Sequence, residues 1–328
     1  MKQLSALQRS LFSTAGSLLS PGGRRGSLLV LIYHRVLEQP DPLLADEPDA
    51  ATFAAHMDAV AGTFNVLSLS EAAERLERGA LPSRAACITF DDGYANNLTV
   101  AAPILAQRKL PATVFIATEF IGGGRMWNDT LIELIRRARD ELDLRAFGLQ
   151  RYPLTSIAER RSSLDAILGA IKYLEPGERL RTVERIAERA GIELPRGMMM
   201  SESQIRALHA GGVEIGAHTQ THPILTRIDE SAAAAEIRSS KQILEDVTGA
   251  AVSTFAYPNG RPQRDYARRD VALVKAAGFR AAVSTAWGCA RASADLHQLP
   301  RIAPWDRTAP RFVARMMRTY LEAAPRLA

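Results

Sequence analysis

The sequence predicts an α/β protein built on a parallel sheet. Short apolar strand candidates alternate with helical patterns along most of the chain, which is the mark of repeated βα units. Two polar motifs stand directly after strand candidates, where ligand sites on parallel sheets gather. The length supports the same reading: 328 residues, 47% hydrophobic and 23% charged, can bury a large core in one or two domains.

Residues 1–27 carry Lys2, Arg9, Arg24 and Arg25 and no acidic residue. Ser13, Thr14, Gly16 and Ser17 interrupt the only apolar centre, so the segment does not read as a secretory signal. A mobile or loosely docked basic tail is the expectation, with contact to an anionic bilayer as the alternative. On that basis the protein is expected in the cytoplasm, peripheral to the inner membrane face if the tail touches lipid. The first strand is expected over Leu28 to Tyr33, followed by helices opening at Thr52 and Ser70, both N-capping residue types. Ala85 to Phe90 reads as the next strand. A helix from Tyr94 to Arg108 would carry a kink at Pro103, and Ala112 to Ala117 is rich in β-branched residues, as strands are.

From 126 to about 197 the pattern becomes helical throughout, with Leu131, Ile132, Leu134 and Ile135 and then Leu164, Ile167, Leu168 and Ile171 at helical spacings. This is an insertion, expected to serve as a packing lid, with a wall of a substrate groove as the alternative. Alternation resumes with the capping-box pattern Ser201 to Gln204 and the strand Val213 to Ala217. A helix from Glu230 to Val247, strands at Ser253 to Tyr257 and Arg280 to Ser284, and a helix near Asp265 to Ala277 complete the pattern. Arg311 to Leu321 reads as a basic amphipathic helix that caps the core. Cys87 and Cys289 have no metal-type spacing and are expected as reduced packing residues. A formal charge of +5 is too mild to imply nucleic acid as a partner.

The chemistry concentrates in two places. Thr89-Phe90-Asp91-Asp92-Gly93-Tyr94 ends one strand, and His218-Thr219-Gln220-Thr221-His222-Pro223 follows another. Alone, Asp-Asp-Gly can be a simple turn, and Pro223 puts the histidine pair on a loop or single turn. Together, two histidines and one carboxylate can hold a divalent metal, which leaves the second carboxylate available as a base. Mixed N/O ligation makes zinc the default, with cobalt, nickel or iron also suited.

These motifs resemble those of the polysaccharide deacetylases that share the chitooligosaccharide deacetylase homology domain (carbohydrate esterase family 4), over roughly residues 28 to 305. Thr89 to Gly93 matches the first motif, T-F-D-D-G, without change, and His218 to His222 satisfies H-[ST]-x-x-H. In the third motif, Phe255-Ala256-Tyr257-Pro258-Asn259-Gly260 keeps the proline and glycine but has Ala256 where the family has an arginine. The opening Ile32-Tyr33-His34-Arg35-Val36 resembles the branch that includes the biofilm poly-N-acetylglucosamine deacetylases, in which a first-strand histidine takes the acid role.

The resemblance implies a distorted (β/α) barrel over 28–328, the helices of about 126–197 being an insertion into it. It implies a metal held by Asp92, His218 and His222, Asp91 as the base and His34 as the acid. Tyr94, Pro258 and Asn259 become candidates for substrate and oxyanion contact, Asn259 through its backbone N–H. The activity implied is removal of N-acetyl groups from an N-acetylated glycan, in exopolysaccharide or envelope modification. The missing arginine leaves Asp91 without its family partner, and Arg301 in Leu299-Pro300-Arg301-Ile302 is the substitute within this sequence. His297 is out of register for the family's late histidine, and His56 and His209, inside helical patterns, read as structural. A scaffold that kept the fold but lost activity is the main rival. A non-haem iron oxygenase uses a similar ligand set, but on an all-β fold, against which this α/β pattern argues.

Overall fold

Strands whose residues are buried on both faces need cover on both sides. β1 (Leu28–Tyr33) is buried along almost its whole length. It is followed by β2 (Asn65–Val66), β3 (Ala85–Phe90), all six residues of which are buried, and β4 (Thr113–Ile116). An antiparallel hairpin, β5 (Glu141–Asp143) and β6 (Arg151–Pro153), intervenes before β7 (Glu214–Ala217), β8 (Thr254–Ala256), β9 (Ala281–Trp287) and β10 (Leu299–Arg301). The structure, a computed structural model, describes residues 4–306 and 308–328.

Apart from the hairpin, the strands form one parallel sheet in the order β1-β3-β4-β7-β8-β9-β10, with β2 beside the first half of β3. The sheet nearly closes into a barrel. Ile302, just past β10, takes a hydrogen bond from the Ile32 N–H at 3.1 Å and donates to the Val30 carbonyl at 2.9 Å. Small residues leave room inside: Ala85, Cys87, Ala256 and Ala281 pack with Phe115 and Val283. Cys87 and Cys289 are both buried and unpaired.

The helices are α1 (Ala6–Leu19), α2 (Ala50–Ala61), α3 (Leu69–Glu77), α4 (Ala102–Gln107), α5 (Trp127–Arg137), α6 (Ile157–Ile171), α7 (Pro176–Ala190), α8 (Glu202–Ala210), α9 (Glu230–Thr248), α10 (Arg268–Ala276) and α11 (Ala309–Thr319). Leu69, Ala72, Ala73 and Leu76 of α3 join the barrel-interior cluster. There the Glu214 carboxylate accepts from the Ser70 N–H at 3.2 Å, Thr113 Oγ1 at 3.1 Å and Thr254 Oγ1 at 3.0 Å. These residues sit at the starts of α3, β4, β7 and β8, so this end is plugged and the carboxyl ends of the strands are left to form a site. Among the described residues no helix is long and apolar enough to cross a membrane.

Several local expectations shift for identifiable reasons. Where a mobile or loosely docked tail is expected, α1 is a helix with a Ser5–Gln8 capping box. Gly16 lets it approach α11 closely, since a Cβ there would lie 2.7 Å from Met317 Cε. The N-caps of α2 and α3 are Asp49 and Ser68 rather than Thr52 and Ser70; Asp49 Oδ1 accepts the Thr52 N–H at 2.8 Å. Pro103 cannot donate into the preceding turn. There the chain widens into a π-helical turn, Asn97–Ala101, before α4 begins.

The insertion is not helical throughout, because β5 and β6 interrupt it. Leu142 pairs with Tyr152 across the hairpin and both are buried, whereas Glu141, Arg151 and Pro153 face outward. That alternation over three residues is a strand period and not a helical one. Leu142 and Tyr152 join Leu134, Ile167, Val183 and Ile186 in a core separate from the barrel's own. α11 turns Phe312, Val313, Met316 and Met317 into the main core, as its pattern predicts.

Candidate metal centre and active site

Strand alternation puts Thr89 and Asp91 on one face of β3 and its continuation, which is the face that Arg301 meets. The fully buried Arg301 guanidinium forms two parallel bonds to Asp91, Nη1 to Oδ1 at 2.7 Å and Nη2 to Oδ2 at 2.7 Å. It also donates from Nη1 to Thr89 Oγ1 at 3.2 Å and from Nε to the Ser284 carbonyl at 2.9 Å. The pairing of β9 with β10 shifts register between Leu299 and Arg301. Such irregularities re-aim side chains at barrel rims, and this one lies beside Ser284. Arg301 therefore supplies the guanidinium that the sequence lacks at Ala256. Burial alone would raise the Asp91 pKa; the charge and hydrogen bonds of Arg301 outweigh it and hold the carboxyl below its usual range.

Past Asp91 the chain turns sharply. Asp92 has φ +76° and Gly93 φ +90°, and a left-handed aspartate stores strain of a kind that collects at functional sites. The turn brings Asp92 under the loop that follows β7. Asp92 Oδ1 lies 3.5 Å from His218 Nε2 and 3.4 Å from His222 Nε2. One donor atom from each of the three residues falls within 4.8 Å of the others. His222, at φ +57°, and Thr219, at φ +64°, are also left-handed. Glu236 on α9 pins the loop, accepting from the Gln220 and Thr221 N–H groups at 2.8 Å each and from Thr221 Oγ1 at 2.6 Å.

His218 Nδ1 is 2.7 Å from the Ala256 carbonyl. A carbonyl can only accept, so Nδ1 carries the proton and the Nε2 lone pair points at Asp92. That buried Nε2 has no hydrogen-bond partner among the described residues, and neither has His222 Nδ1. Burial would lower the His218 pKa, but Asp92 and Asp91 beside it raise it overall. Burial pushes His222 down to about 3, leaving it neutral with a lone pair to offer. Burial alone would raise the Asp92 pKa, but the adjacent His218 outweighs it and holds the carboxyl below its usual range. Two lone-pair nitrogens and one carboxylate converging on a point that attracts positive charge fit a divalent cation.

A cavity of about 570 Å³ opens over this cluster. His34, half-buried at the end of β1, lines it together with Asp91, Asp92, His218, His222 and Asn259. The Asn97 side chain anchors the His34 carbonyl at 2.9 Å. Asn259, at φ +59°, is tied through its carbonyl to Thr285 Oγ1 at 2.7 Å. Pro258 is buried and shapes the turn behind Asn259 instead of lining the cavity. The Tyr94 ring lines the cavity, but its hydroxyl points away and donates to Asp129 Oδ1 at 3.1 Å.

His297 is elsewhere. Its Nε2 is 2.9 Å from the Phe279 carbonyl, ahead of β9 and at the opposite end of the strands. His56 is a packing residue between Tyr33 and Phe312, with Nε2 2.9 Å from the Asp306 carbonyl. His209 is on α8, outside the cavity lining.

The insertion is more than a packing lid, because Met126, Trp127, Asn128, Ile132, Leu168 and Lys172 form a wall of the cavity. Sequence reasoning did not find the buried ion pair of Arg35 with Asp129, over which Tyr94 lies with its ring centroid 4.1 Å from the guanidinium. Arg35 lies within the Ile32–Val36 opening, but Asp129 shows only as a helix-start carboxylate, accepting the Met126 N–H at 3.1 Å.

Comparisons with known proteins agree with this geometry. The chain is similar in fold to the Streptococcus pyogenes deacetylase PplD in complex with acetate, with TM-score 0.60 and 18% identity over 89% of this chain and 98% of that one. It is also similar to IcaB from Ammonifex degensii, with TM-score 0.58 and 19% identity over 90% and 97%. The deacetylase domain of BpsB from Bordetella bronchiseptica aligns with TM-score 0.51 and 19% identity over 84% and 95%. No curated protein matches the chain. The family model described as polysaccharide deacetylase matches residues 78–282, more than half of the chain. With Asp91, Asp92, His218 and His222 inside that span and gathered at the carboxyl ends of a nearly closed parallel barrel, the chain belongs to the polysaccharide deacetylase family.

Proposed function

We propose that this protein removes N-acetyl groups from an N-acetylated exopolysaccharide or envelope glycan, with Asp91 as base, His34 as acid, and zinc held by Asp92, His218 and His222. The observation that carries the reading is the division of labour between neighbouring carboxylates: Asp92 faces two imidazoles, while Asp91 is clamped by Arg301. When bound, the ion would supply Lewis acidity to the acetamide carbonyl and to the attacking water.

The side chains account for the rest. Asp91 is ionised at neutral pH, and Arg301 fixes its plane, so it can accept the water's proton at a set position. His34 stands in the same cavity to protonate the departing amine, whose expulsion as an anion would be prohibitive. The backbone N–H of Asn259, a residue whose carbonyl is held by Thr285 Oγ1, would donate to developing charge on the carbonyl oxygen. The fold likeness to the deacetylase PplD and to the BpsB deacetylase domain supports deacetylation as the reaction, and the exopolysaccharide context rests on the resemblance of the Ile32–Val36 opening.

The test is acetate release from N-acetylglucosamine oligomers by the whole chain, with zinc and with chelator. Zinc-dependent release is expected. Absence of metal-dependent acetate from any N-acetylated glycan would favour a scaffold.

A further inference from the structure

One part of the cavity wall carries positive charge that the reaction described above does not use. Lys172, at the end of α6, and Arg261, in the loop after β8, both line the cavity. Three more cations stand around them. Arg179 of α7 is buried, its guanidinium 5.0 Å from the centre of the Trp127 ring and donating from Nη1 to the Lys172 carbonyl at 3.3 Å. Arg264 and Arg227 lie 4.5 Å and 5.7 Å from the centre of the Tyr173 ring, the side chain next to Lys172. None of these five forms an ion pair with a carboxylate among the described residues, whereas Arg35 and Arg301 are matched with Asp129 and Asp91.

The carboxylates nearby are committed elsewhere. Asp265 Oδ2 accepts the Arg261 N–H at 3.1 Å, and Glu175 accepts from the Gly177 and Glu178 N–H groups at 2.9 Å each. In the cavity wall, Asp91 is matched by Arg301, Asp92 turns to the two imidazoles and Glu47 takes the Arg35 N–H at 3.4 Å. Burial, with the charges of Arg261, Arg264 and Arg179, holds the Lys172 ammonium below its ordinary range, although Asp265 pulls the other way. Like charges gathered without counter-charge repel one another in the folded chain. An oxyanion relieves that repulsion, and guanidinium forks match the oxygens of phosphate and carboxylate. Because Lys172 and Arg261 share their cavity with Asp91, Asp92 and His222, the anion belongs to the molecule being deacetylated.

We propose that Lys172 and Arg261, backed by Arg179 and Arg264, bind an oxyanion, phosphate or carboxylate, carried by the acetylated glycan, so that the enzyme selects an acidic substrate over a neutral one. This rests on the deacetylase reading above, and the test separates the two. Acetate release is measured on two matched pairs. One is the N-acetylglucosamine tetramer with and without a 1-phosphate at its reducing end. The other is a tetrasaccharide of alternating N-acetylglucosamine and glucuronic acid beside the same chain with glucose in place of the acid. The wild type, Lys172→Ala, Arg261→Ala and Arg261→Glu are compared, with calorimetric Kd values for the same glycans.

In the wild type, kcat/KM should favour the acidic member of at least one pair by about tenfold, the scale of a charge-assisted hydrogen bond, and the pair that responds tells phosphate from carboxylate. Lys172→Ala and Arg261→Ala should each remove about three- to tenfold of that preference, through KM, and Arg261→Glu should abolish it. Added salt should shrink it, as screening does to any contact between partly exposed charges. Equal rates within both pairs, or a preference that Arg261→Glu leaves intact, overturn the anion site while deacetylation stands. If no glycan releases acetate, the deacetylase reading fails and the anion site is decided by binding. Tighter binding of an acidic glycan, weakened by Arg261→Glu, then supports it; equal affinities within both pairs, an affinity that Arg261→Glu does not change, or no binding at all overturn it.

Discussion

The two sides of the site are built differently. The imidazole side is local: His218 and His222 come from one loop, pinned by Glu236 and by the Ala256 carbonyl. The guanidinium side is assembled across the molecule, with Arg301 reaching Asp91 over a separation of 210 residues. A short loop shows its ligand spacing in the chain itself, whereas a partner delivered by another strand depends on how the barrel closes. The local side should therefore fail by losing metal, and the distant side by losing chemistry or acid tolerance.

The sharpest break of this comparison is His222→Ala, which should remove both metal binding and turnover, as seen by metal titration beside acetate release. Asp91→Asn should separate the two properties, lowering kcat by roughly a hundred- to ten-thousandfold while the metal stays bound. Wild-type turnover in Asp91→Asn would end its assignment as the base. His34→Ala should also keep the metal and lose roughly a hundredfold or more in rate, at the lower end of acid–base effects.

Arg301→Ala leaves a buried carboxylate unpaired, which costs about 3–5 kcal/mol in typical cases, measurable by denaturant unfolding. The sign with pH follows from the lowered Asp91 pKa. In the wild type this group contributes stability that is present above the ordinary carboxylate pKa of about 4 and is lost as pH falls through the lower folded-state value. Without the guanidinium the Asp91 pKa rises, so the acid limb of the rate profile should move to higher pH. The smallest effect is expected from Glu236→Gln. It touches no reacting atom but loosens the histidine loop, and should weaken metal affinity by about tenfold, as for other supporting contacts.

Much of the barrel is legible in the sequence because its strands are apolar runs ended by polar motifs. The boundaries of α2 and α3 moved because Asp49 and Ser68 offer side-chain oxygens to N–H groups three residues on. The β5–β6 hairpin was hidden because strands of three residues are too short to show a period against the helical spacings around them. In the site, the cluster of Asp92, His218 and His222 and the adjacent carboxylate could be read directly. Arg301 could be named only as a substitute, since its pairing depends on the irregular register between β9 and β10. The Arg35–Asp129 pair had no signal, because nothing in the spacing of two residues so far apart tells that a helical insertion folds back onto the first strand.

The position of Arg301 on β10, the strand whose neighbour Ile302 bonds back to β1, ties competence to completeness. Any fragment that stops short of residue 301 can carry Asp92, His218 and His222 and still leave Asp91 without its counter-charge. The same stretch of backbone that closes the cylinder also brings the guanidinium to the carboxylate.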